Sequence, residues 1–346
     1  MDAYAVAGPS LALTKYWGKS PGGVNIAATP SVAVTLAELR AATRVRLVPS
    51  VSAKEAELRE DEVYLHGARQ KRTHFSALFD EIRSRTGYGG SFIAHSRNNF
   101  PTAAGLASSA AGMAALTKAA TAAIDALHPN RHKLSDEVLS AIARHGSGSA
   151  SRSIFGGFVE LPAESEAAQP LFGRSHWPSF RIIAVALHTG PKPISSRQAM
   201  NRTARTSPYY AAWVRDAQGL TKAAIEAVEK RDLPTLGELA RRSYLRMFGT
   251  MLGAEPPVLY WRPESVTLIH LLEVLRHQGL PVWETMDAGP QVKVILEKES
   301  VEPFLSALRH ELPEVVATVC TPGEGARIIT PEELTPEERL ALEATA

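Results

Sequence analysis

The chain has 346 residues, of which 45% are hydrophobic and 21% charged, and its formal net charge is +2. This length favours two domains over a single core, and the small net charge gives no expectation of a nucleic-acid or acidic-membrane partner. The single cysteine, Cys320, excludes an internal disulfide framework and a multi-cysteine zinc site, which fits a reducing compartment. We see neither a secretory leader nor a segment long enough to span a membrane, so we expect a cytoplasmic protein.

The first ninety residues predict short strands, one helix and turns. Residues 31–36 and 43–48 alternate apolar and polar side chains, as half-buried strands do. Glu62–Leu65 has the pattern of a hairpin edge, and a helix is predicted over about Thr73–Thr86. This half of the chain therefore begins as a sheet with a helix attached to it.

Two lysines flank two aromatic residues and a glycine in Lys15-Tyr16-Trp17-Gly18-Lys19. Two lysines four residues apart could be solvated charges at a strand end, or they could bind a polyanion. Arg72 belongs to a basic cluster at the start of a helix, and it could lie on the surface or point into a cleft. The residues alone leave both questions open.

A run of small residues, Asn98–Gly112, joins the strand Ser91–His95 to an alanine-rich helix from Ser108 to about Ala126. Such a turn exposes backbone N–H groups at a helix N-terminus, where the helix dipole favours an anion such as phosphate. Ser108 and Ser109 could cap the helix or present hydroxyls to a phosphate or its magnesium. By composition alone, ordinary packing of small residues explains the run equally well.

A second small-residue segment, Gly146–Ser153, follows a helix predicted over Ser135–His145. It contains one arginine, Arg152, and strand-like residues 154–160 follow at once, so the segment lies inside a folded unit. A lone arginine among serines and glycines suits a carboxylate or phosphate, which its planar guanidinium binds through two hydrogen bonds.

The remainder of the chain predicts mostly helices, with strands bracketing Met286-Asp287-Ala288-Gly289-Pro290. Strands and helices mix without regular βαβ alternation, which indicates an α+β fold with helices on one face of the sheets. We divide the chain into an N-terminal domain at 1–185, a C-terminal domain at 186–332 and a peripheral acidic tail at 333–346. The predicted helices cover about Tyr210–Lys230, Leu233–Gly249, Pro263–Gln278 and Val301–Leu312, and the predicted strands cover Arg181–Leu187, Pro281–Thr285, Val292–Leu296 and Val315–Val319.

Four segments in one chain order closely resemble the diphosphomevalonate decarboxylase family of the GHMP (galactokinase, homoserine kinase, mevalonate kinase, phosphomevalonate kinase) superfamily. They are Lys15–Lys19 (KYWGK), Asn98–Ala111 (NNFPTAAGLASSAA), Gly146–Gly157 (GSGSASRSIFGG) and Met286–Pro290 (MDAGP). The resemblance implies a two-lobed fold of mixed or antiparallel sheets with the active-site cleft between the lobes. It also raises the phosphate interpretation of the central turn above the packing one.

The resemblance implies ATP-dependent decarboxylation of mevalonate 5-diphosphate, with ATP and Mg²⁺ required. The C3 hydroxyl is phosphorylated, and the new phosphate then leaves with CO2 to give isopentenyl diphosphate. Alternatives are the same reaction on mevalonate 5-phosphate, a mevalonate 3-kinase, and a non-catalytic binding relative. The family also suggests a homodimer.

Matched one by one, the family's functional residues fall on three sets of positions. Asp287 matches the catalytic aspartate, Lys15 the lysine that keeps it ionised, and Arg152 the arginine that holds the substrate carboxylate. The other substrate-binding positions are Tyr16, Lys19, Arg72, Ser147, Ser149 and Ser196. The ATP-binding positions are Asn98, Pro101, Ala103, Gly105, Leu106, Ala107, Ser108 and Ser109, with Ser108 also near the magnesium ion.

Some positions depart from the family pattern. Ser10 stands where an asparagine is usual, and Ser20-Pro21 replaces a charged pair. Thr29-Pro30 and Arg197 also differ from the common residues. Because the three catalytic positions are all retained, these departures bear on which phosphorylated mevalonate is the substrate more than on the chemistry.

Overall fold

The computed structural model describes residues 1–49, 60–100, 108–188, 190 and 192–343, without the side chain of Ser108. Within these ranges the chain is an α+β protein with three sheets, as its sequence predicts. The strands are β1 (Asp2–Ala7), β2 (Ser10–Ala12), β3 (Ser31–Thr35), β4 (Ala41–Val48), β5 (Glu62–Leu65), β6 (Ala68–Arg69), β7 (Ser91–Asn98), β8 (Phe158–Leu161), β9 (Gln169–Phe172), β10 (Phe180–Ala186), β11 (Trp283–Met286), β12 (Val292–Glu297), β13 (Val316–Cys320) and β14 (Arg327–Ile329). The helices are α1 (Ser76–Thr86), α2 (Ser108–Leu127), α3 (Asp136–Gly146), α4 (Ala150–Ser153), α5 (Ser196–Thr206), α6 (Tyr210–Lys230), α7 (Leu233–Leu252), α8 (Pro263–His277), α9 (Val301–Glu311) and α10 (Pro336–Glu343).

The first sheet has the strand order β14-β1-β4-β7-β5-β6. Its described pairings are antiparallel except for β5 with β7, which is parallel. Helix α2 packs across β1 and β4, and the apolar face of the sheet meets the alanines of the helix, with Val45, Phe92 and Ile124 fully buried. The small alanine side chains let the helix pack close to the sheet.

The second sheet, β11-β12-β10-β13, is antiparallel throughout its described pairings. Helices α7 and α8 pack against β11 and β12, and Tyr244 and Phe248 of α7 are buried in the core that they share. A third sheet, β2-β3-β8-β9, shares a hydrophobic core with β10, α6 and α7. This shared core joins the two halves of the chain.

Local sequence signals fix the helices that border the cleft described below. The Ser135 side chain accepts a hydrogen bond from the Val138 N–H and caps α3, a common N-cap arrangement. Ser195 and Gln198 form a reciprocal capping box at the start of α5. The Ser195 capping box sets the start of α5 at Ser196, and α3 ends with Ser147 as its C-cap, whose backbone N–H donates to the Ala143 carbonyl.

Most predicted elements are confirmed to within a few residues. The alanine-rich helix begins at Ser108 and continues to Leu127, one residue beyond the prediction. The segment Gly146–Ser153 is more ordered than its glycine- and serine-rich composition suggests, since its last four residues form the short helix α4. The turn residues from Pro101 to Ala107 lie outside the described residues.

The C-terminal residues return to the N-terminal half. Strand β14 pairs with β1, with Ile329 opposite Tyr4. Helix α10 packs against β4 and β7, Leu342 is buried, and Glu338 forms an ion pair with Arg40. The division of the chain at residues 185 and 332 stays a prediction. Among the described helices, none is both long and apolar enough to cross a bilayer.

Candidate active site

A cleft of about 580 Å³ lies where β2, β7, α2, α4 and α5 meet the loop after β11. Residues from all four segments that carry the family resemblance line it. The charged and polar lining residues include Ser10, Lys15, Tyr16, Lys19, Asn25, Asn98, Ser109, Ser147, Ser149, Arg152, Lys192, Ser195, Ser196, Arg197 and Asp287.

At one wall of the cleft, Asp287 follows directly after β11 and lies between two lysines. Lys15 Nζ lies 2.9 Å from Asp287 Oδ1, and Lys293 Nζ lies 3.1 Å from Oδ2. Both lysines are about 1% exposed, and Lys15 also donates to the Ala12 carbonyl at 2.6 Å. The carboxylate is therefore held in place from two sides.

The protonation of this cluster follows from burial and charge. Burial by itself raises the pKa of Asp287, but the charges of Lys15 and Lys293 and their hydrogen bonds outweigh it and hold that pKa well below its usual range. Burial lowers the pKa of Lys15 to about 8, even though Asp287 acts in the opposite direction. Near neutral pH the carboxylate is therefore ionised and Lys15 is protonated.

Arg152 lies on α4 and is 2% exposed. One guanidinium nitrogen, Nη1, donates to the Ser31 hydroxyl on β3, which orients the side chain. Its Nε–H has no partner among the described residues, so a buried donor remains for a bound anion. Burial lowers the pKa of Arg152 to about 10, and the guanidinium stays protonated at neutral pH.

A second group of lining residues is rich in hydroxyls and cations. The Ser147 and Ser149 hydroxyls are 3.2 Å apart, and Ser147 lies 3.4 Å from the Ser109 hydroxyl of α2. Lys19 Nζ donates to Asn25 Oδ1 at 2.5 Å. Burial, followed by the charge of Arg197, lowers the pKa of Lys19 to about 8.

Tyr16 lies beside the serine segment, and burial raises the pKa of its hydroxyl to about 12. That hydroxyl is buried and has no hydrogen-bond partner within the described part of the chain. A Cβ atom at Gly148 would lie 2.5 Å from the Tyr16 hydroxyl oxygen. Only glycine fits at this position without displacing the tyrosine.

The N-terminus of α2 adjoins the serine segment at Ser147, and the cleft extends from there to Asn98. Asn98, at the end of β7, is 5% exposed, and its Oδ1 has no partner among the described residues. Ser109 lines the cleft in the first turn of α2. The remaining predicted ATP-binding positions, Pro101, Ala103, Gly105, Leu106 and Ala107, lie outside the described residues, as does the Ser108 side chain.

The cleft continues past Asn98 as a more apolar recess, into which Gln70 and His74 also reach. Arg72 lies between these two residues in the chain, on a short 3-10 turn, and is exposed. It lies beside the cleft lining rather than within it. Its predicted contact with substrate stays a prediction. The apolar wall consists of Val63, Leu65, Phe75, Ala94, Met113 and Leu116.

Two functional candidates were missed by the sequence interpretation. Lys293 is a single lysine inside the apolar strand residues Val292–Leu296, and a buried charge of this kind indicates a partner. Lys192 lines the cleft, and its Nζ lies 3.4 Å from the Ser196 hydroxyl. Burial, and then the charge of Lys293, lowers the pKa of Lys192 to about 8.

The donor set can be compared with the needs of a nucleotide and its magnesium. Over the described ranges, no group of three or more His, Cys, Asp or Glu side chains could hold a metal ion. Lysines, hydroxyls and a helix N-terminus instead suit phosphate oxygens, which themselves are good magnesium ligands. The residues therefore fit a metal that arrives with a nucleotide.

Comparisons with known proteins agree with this chemistry. Residues 7–171 match the diphosphomevalonate decarboxylase-like N-terminal domain, and residues 182–338 match the mevalonate 5-diphosphate decarboxylase C-terminal domain. Diphosphomevalonate decarboxylase from Ganoderma lucidum is 33% identical, over 90% of this chain and 82% of that protein. The human enzyme of the same name is 31% identical, over 88% and 79%.

Solved structures give the same result. A complex described as MDDEF with MVAPP, AMPPCP and magnesium superposes with a TM-score of 0.85 at 33% identity, covering 95% of this chain and 99% of that one. Mevalonate diphosphate decarboxylase from Staphylococcus aureus superposes with a TM-score of 0.84 at 33% identity, covering 95% and 98%.

Proposed function

The chain belongs to the diphosphomevalonate decarboxylase family, and from this premise we propose how the residues of its cleft carry out the reaction. It is an ATP-dependent decarboxylase acting on mevalonate 5-diphosphate. The C3 hydroxyl receives the γ-phosphate of ATP, and loss of that phosphate and of CO2 then gives isopentenyl diphosphate. The observation that carries the proposal is the ionised Asp287, held between Lys15 and Lys293 in a cleft that also contains the buried Arg152.

Asp287 orients the C3 hydroxyl and accepts its proton. A carboxylate with so low a pKa is a weak base, so it does not deprotonate the hydroxyl before phosphoryl transfer begins. Its principal effect is to aim the oxygen lone pair at the phosphorus, and the proton moves as the new O–P bond forms. Phosphoryl transfer depends mainly on this kind of positioning and on charge neutralisation.

Arg152 binds the C1 carboxylate of the substrate. Its free Nε–H and the nitrogens not used by Ser31 offer the paired donors that a carboxylate prefers. Hydrogen bonds from an arginine keep the carboxylate ionised, and an ionised carboxylate is the form from which CO2 departs. The anchoring to Ser31 prevents the guanidinium from following the leaving group.

The hydroxyl and cation group holds the 5-diphosphate. Lys19, Ser147 and Ser149 offer a charge and two hydroxyls within one region of the cleft. Tyr16 and Ser196 complete this end. Contacts of this kind would bind the substrate through its diphosphate, away from the reacting carbon. We also keep Arg72, which lies beside the recess past Asn98, as a proposed substrate contact.

ATP lies with its phosphates towards the N-terminus of α2. Asn98, Ser109 and Lys192 are its proposed ligands among the described residues. Pro101, Ala103, Gly105, Leu106, Ala107 and Ser108 stay predicted ligands from the sequence. Ser108, predicted near the magnesium ion, would hold it together with the nucleotide, and the ion would neutralise phosphate charge there. The recess lined by Val63, Phe75 and their neighbours accommodates the base.

One assay tests the proposal. Purified protein is supplied with ATP, magnesium and either mevalonate, its 5-phosphate or its 5-diphosphate, and CO2 and ADP are measured together. We expect both products, in equal amounts, from the 5-diphosphate. ADP without CO2 would indicate a 3-kinase, turnover of the 5-phosphate alone would change the substrate, and neither product would indicate a binding relative.

We also propose a cytoplasmic homodimer with the division into domains at residues 185 and 332 given above. The family resemblance supports the homodimer, and the single cysteine, Cys320, is consistent with a reducing compartment. Light scattering of the purified chain at several concentrations tests the assembly. A mass near 37.3 kDa at all concentrations would contradict the homodimer.

A further inference from the structure

A fully buried carboxylate outside the cleft, Glu284, lies on β11 three residues before Asp287. Arg241 Nε and the Tyr244 hydroxyl donate to Glu284 Oε1 at 2.7 and 2.9 Å. Arg276 Nη1 donates to Oε2 at 2.8 Å. A buried charge is costly unless its oxygens are paired, and here α7 and α8 supply donors to both oxygens.

Glu284 does not share a side of the sheet with the catalytic cluster. Side chains alternate along a strand, so Glu284 and Met286 lie on one side of β11 and Thr285 on the other. Lys293 is directly opposite Thr285 in the ladder, and therefore lies on the side away from Glu284. The hydrogen bonds to Glu284 consequently fix the strand itself, from whose end Asp287 projects.

Helix α7 also contacts Lys15, the ion-pair partner of Asp287. The Ser243 hydroxyl on α7 accepts the backbone N–H of Lys15 at 2.9 Å, and Ser243 is 1% exposed. Ser243 and Tyr244 are consecutive residues. One turn of α7 is thus bonded to Lys15 directly and to the strand of Asp287 through Glu284.

We propose that Glu284 is a positioning residue: it fixes the position of β11 relative to α7, so that Asp287 forms its ion pair with Lys15. The proposal rests on the role given above to Asp287 in the decarboxylation. A displacement of about 1 Å at a reacting group can cost about a hundredfold in rate, so the register of β11 matters to turnover.

A purely structural role for Glu284 is the competing interpretation. Buried ion clusters often contribute little to net stability, and breaking one nevertheless destabilises the fold. Loss of stability reduces the amount of folded enzyme, but it leaves the properties of Lys15 in the folded molecules unchanged. A readout at Lys15 therefore separates the two interpretations.

The central experiment compares Glu284→Gln with the wild-type protein. We expect kcat to fall by about ten- to a hundredfold, with the KM values for ATP and mevalonate 5-diphosphate within about threefold. Asp287 raises the pKa of Lys15, whereas Lys293 and Arg152 lower it. Displacement of Asp287 should therefore lower the Lys15 pKa further, which NMR of ¹³C-labelled lysine measures without turnover.

Two further variants make the test specific. Ser243→Ala acts on the Lys15 side of the same pair, so the double variant with Glu284→Gln should lose less than the product of the two single losses. Asp216→Asn is the control. It removes an exposed ion pair between Asp216 of α6 and Arg246 of α7, and it should leave both kcat and the Lys15 pKa unchanged. If Glu284→Gln does not fold, Tyr244→Phe, which removes one donor, carries the same comparison.

A Lys15 pKa in Glu284→Gln equal to that of the wild-type protein would overturn the inference, as would a kcat within twofold of wild type. Full additivity with Ser243→Ala would do the same. Absence of CO2 from the wild-type protein would instead overturn the proposed function, and the Lys15 measurement would still decide whether Glu284 sets the ion pair.

Discussion

Lys293 Nζ lies 3.1 Å from Asp287 Oδ2, on the other side of the carboxylate from Lys15. Asp287 follows β11, Lys293 lies on the neighbouring strand β12, and Lys15 follows β2. Two buried cations from separate sheets thus share one carboxylate. This arrangement keeps the aspartate ionised in a site where burial alone would protonate it.

Lys293→Met removes one of the two cations and keeps the length of the side chain. We expect kcat to fall by about ten- to a hundredfold, because Asp287 loses one of its two fixed contacts and its position becomes less defined. Thermal stability should fall only modestly, because Asp287 keeps Lys15 as an ion-pair partner and is not left as an unpaired buried charge. Steady-state rates and a thermal melt measure the two effects.

The matched control is Lys298→Met, an exposed lysine just past the end of β12. It should leave kcat and the melting temperature unchanged. A Lys293→Met enzyme with a wild-type rate would show that Lys15 alone is enough to hold Asp287.

Asp287→Asn keeps the shape of the side chain and removes its charge and its ability to accept the proton. We expect turnover to fall by about a thousandfold or more, within the range for loss of a general base. ATP binding, measured by calorimetry, should remain within about threefold, because the proposed ATP site lies towards α2. A near-normal rate would show that another group orients the C3 hydroxyl.

The sequence predicts the architecture well because its local signals agree with its tertiary contacts. Tyr210–Lys230 is predicted and observed with identical bounds, and the α+β class follows from the order of strands and helices. The return of β14 to β1 was not predicted, since a three-residue strand carries no information about which distant strand it joins. Pairing over such a separation depends on the whole fold.

The residues of the candidate site also fall into those that the sequence predicts and those that only the structure shows. Asp287, Lys15 and Arg152 were found because they belong to motifs, and the structure brings all three to one cleft. Lys293 was missed because a strand lysine is normally exposed, and only its burial shows that it faces Asp287. Arg72 stays a prediction, since Gln70 and His74 line the cleft while the Arg72 side chain itself is exposed.

Gly148→Ala tests the close approach of the serine segment to Tyr16. The new Cβ would lie 2.5 Å from the Tyr16 hydroxyl oxygen, so the tyrosine must move. We expect the KM for mevalonate 5-diphosphate to rise by about tenfold or more, since a displaced hydroxyl leaves the diphosphate less well held. The KM for ATP should stay near its wild-type value.

The control for this change is Gly89→Ala, where a Cβ would meet no atom within 4 Å. It should leave both KM values as they are. An equal rise in both KM values for Gly148→Ala would indicate general distortion of the cleft rather than loss of the Tyr16 contact.

Substrate affinity should weaken as pH rises through about 8, because burial and the charge of Arg197 lower the pKa of Lys19 to about that value. Lysine is a cation below its pKa, so Lys19 binds the diphosphate on the acidic side and loses its charge on the alkaline side. The dissociation constant of mevalonate 5-diphosphate, measured by calorimetry without ATP, should rise by roughly tenfold between pH 7 and 10.

In Lys19→Arg the guanidinium stays protonated over this range, so the rise should be smaller. Lys133→Arg, at an exposed lysine, should follow the wild-type curve. A Lys19→Arg curve that coincides with the wild-type one would assign the alkaline loss to another group.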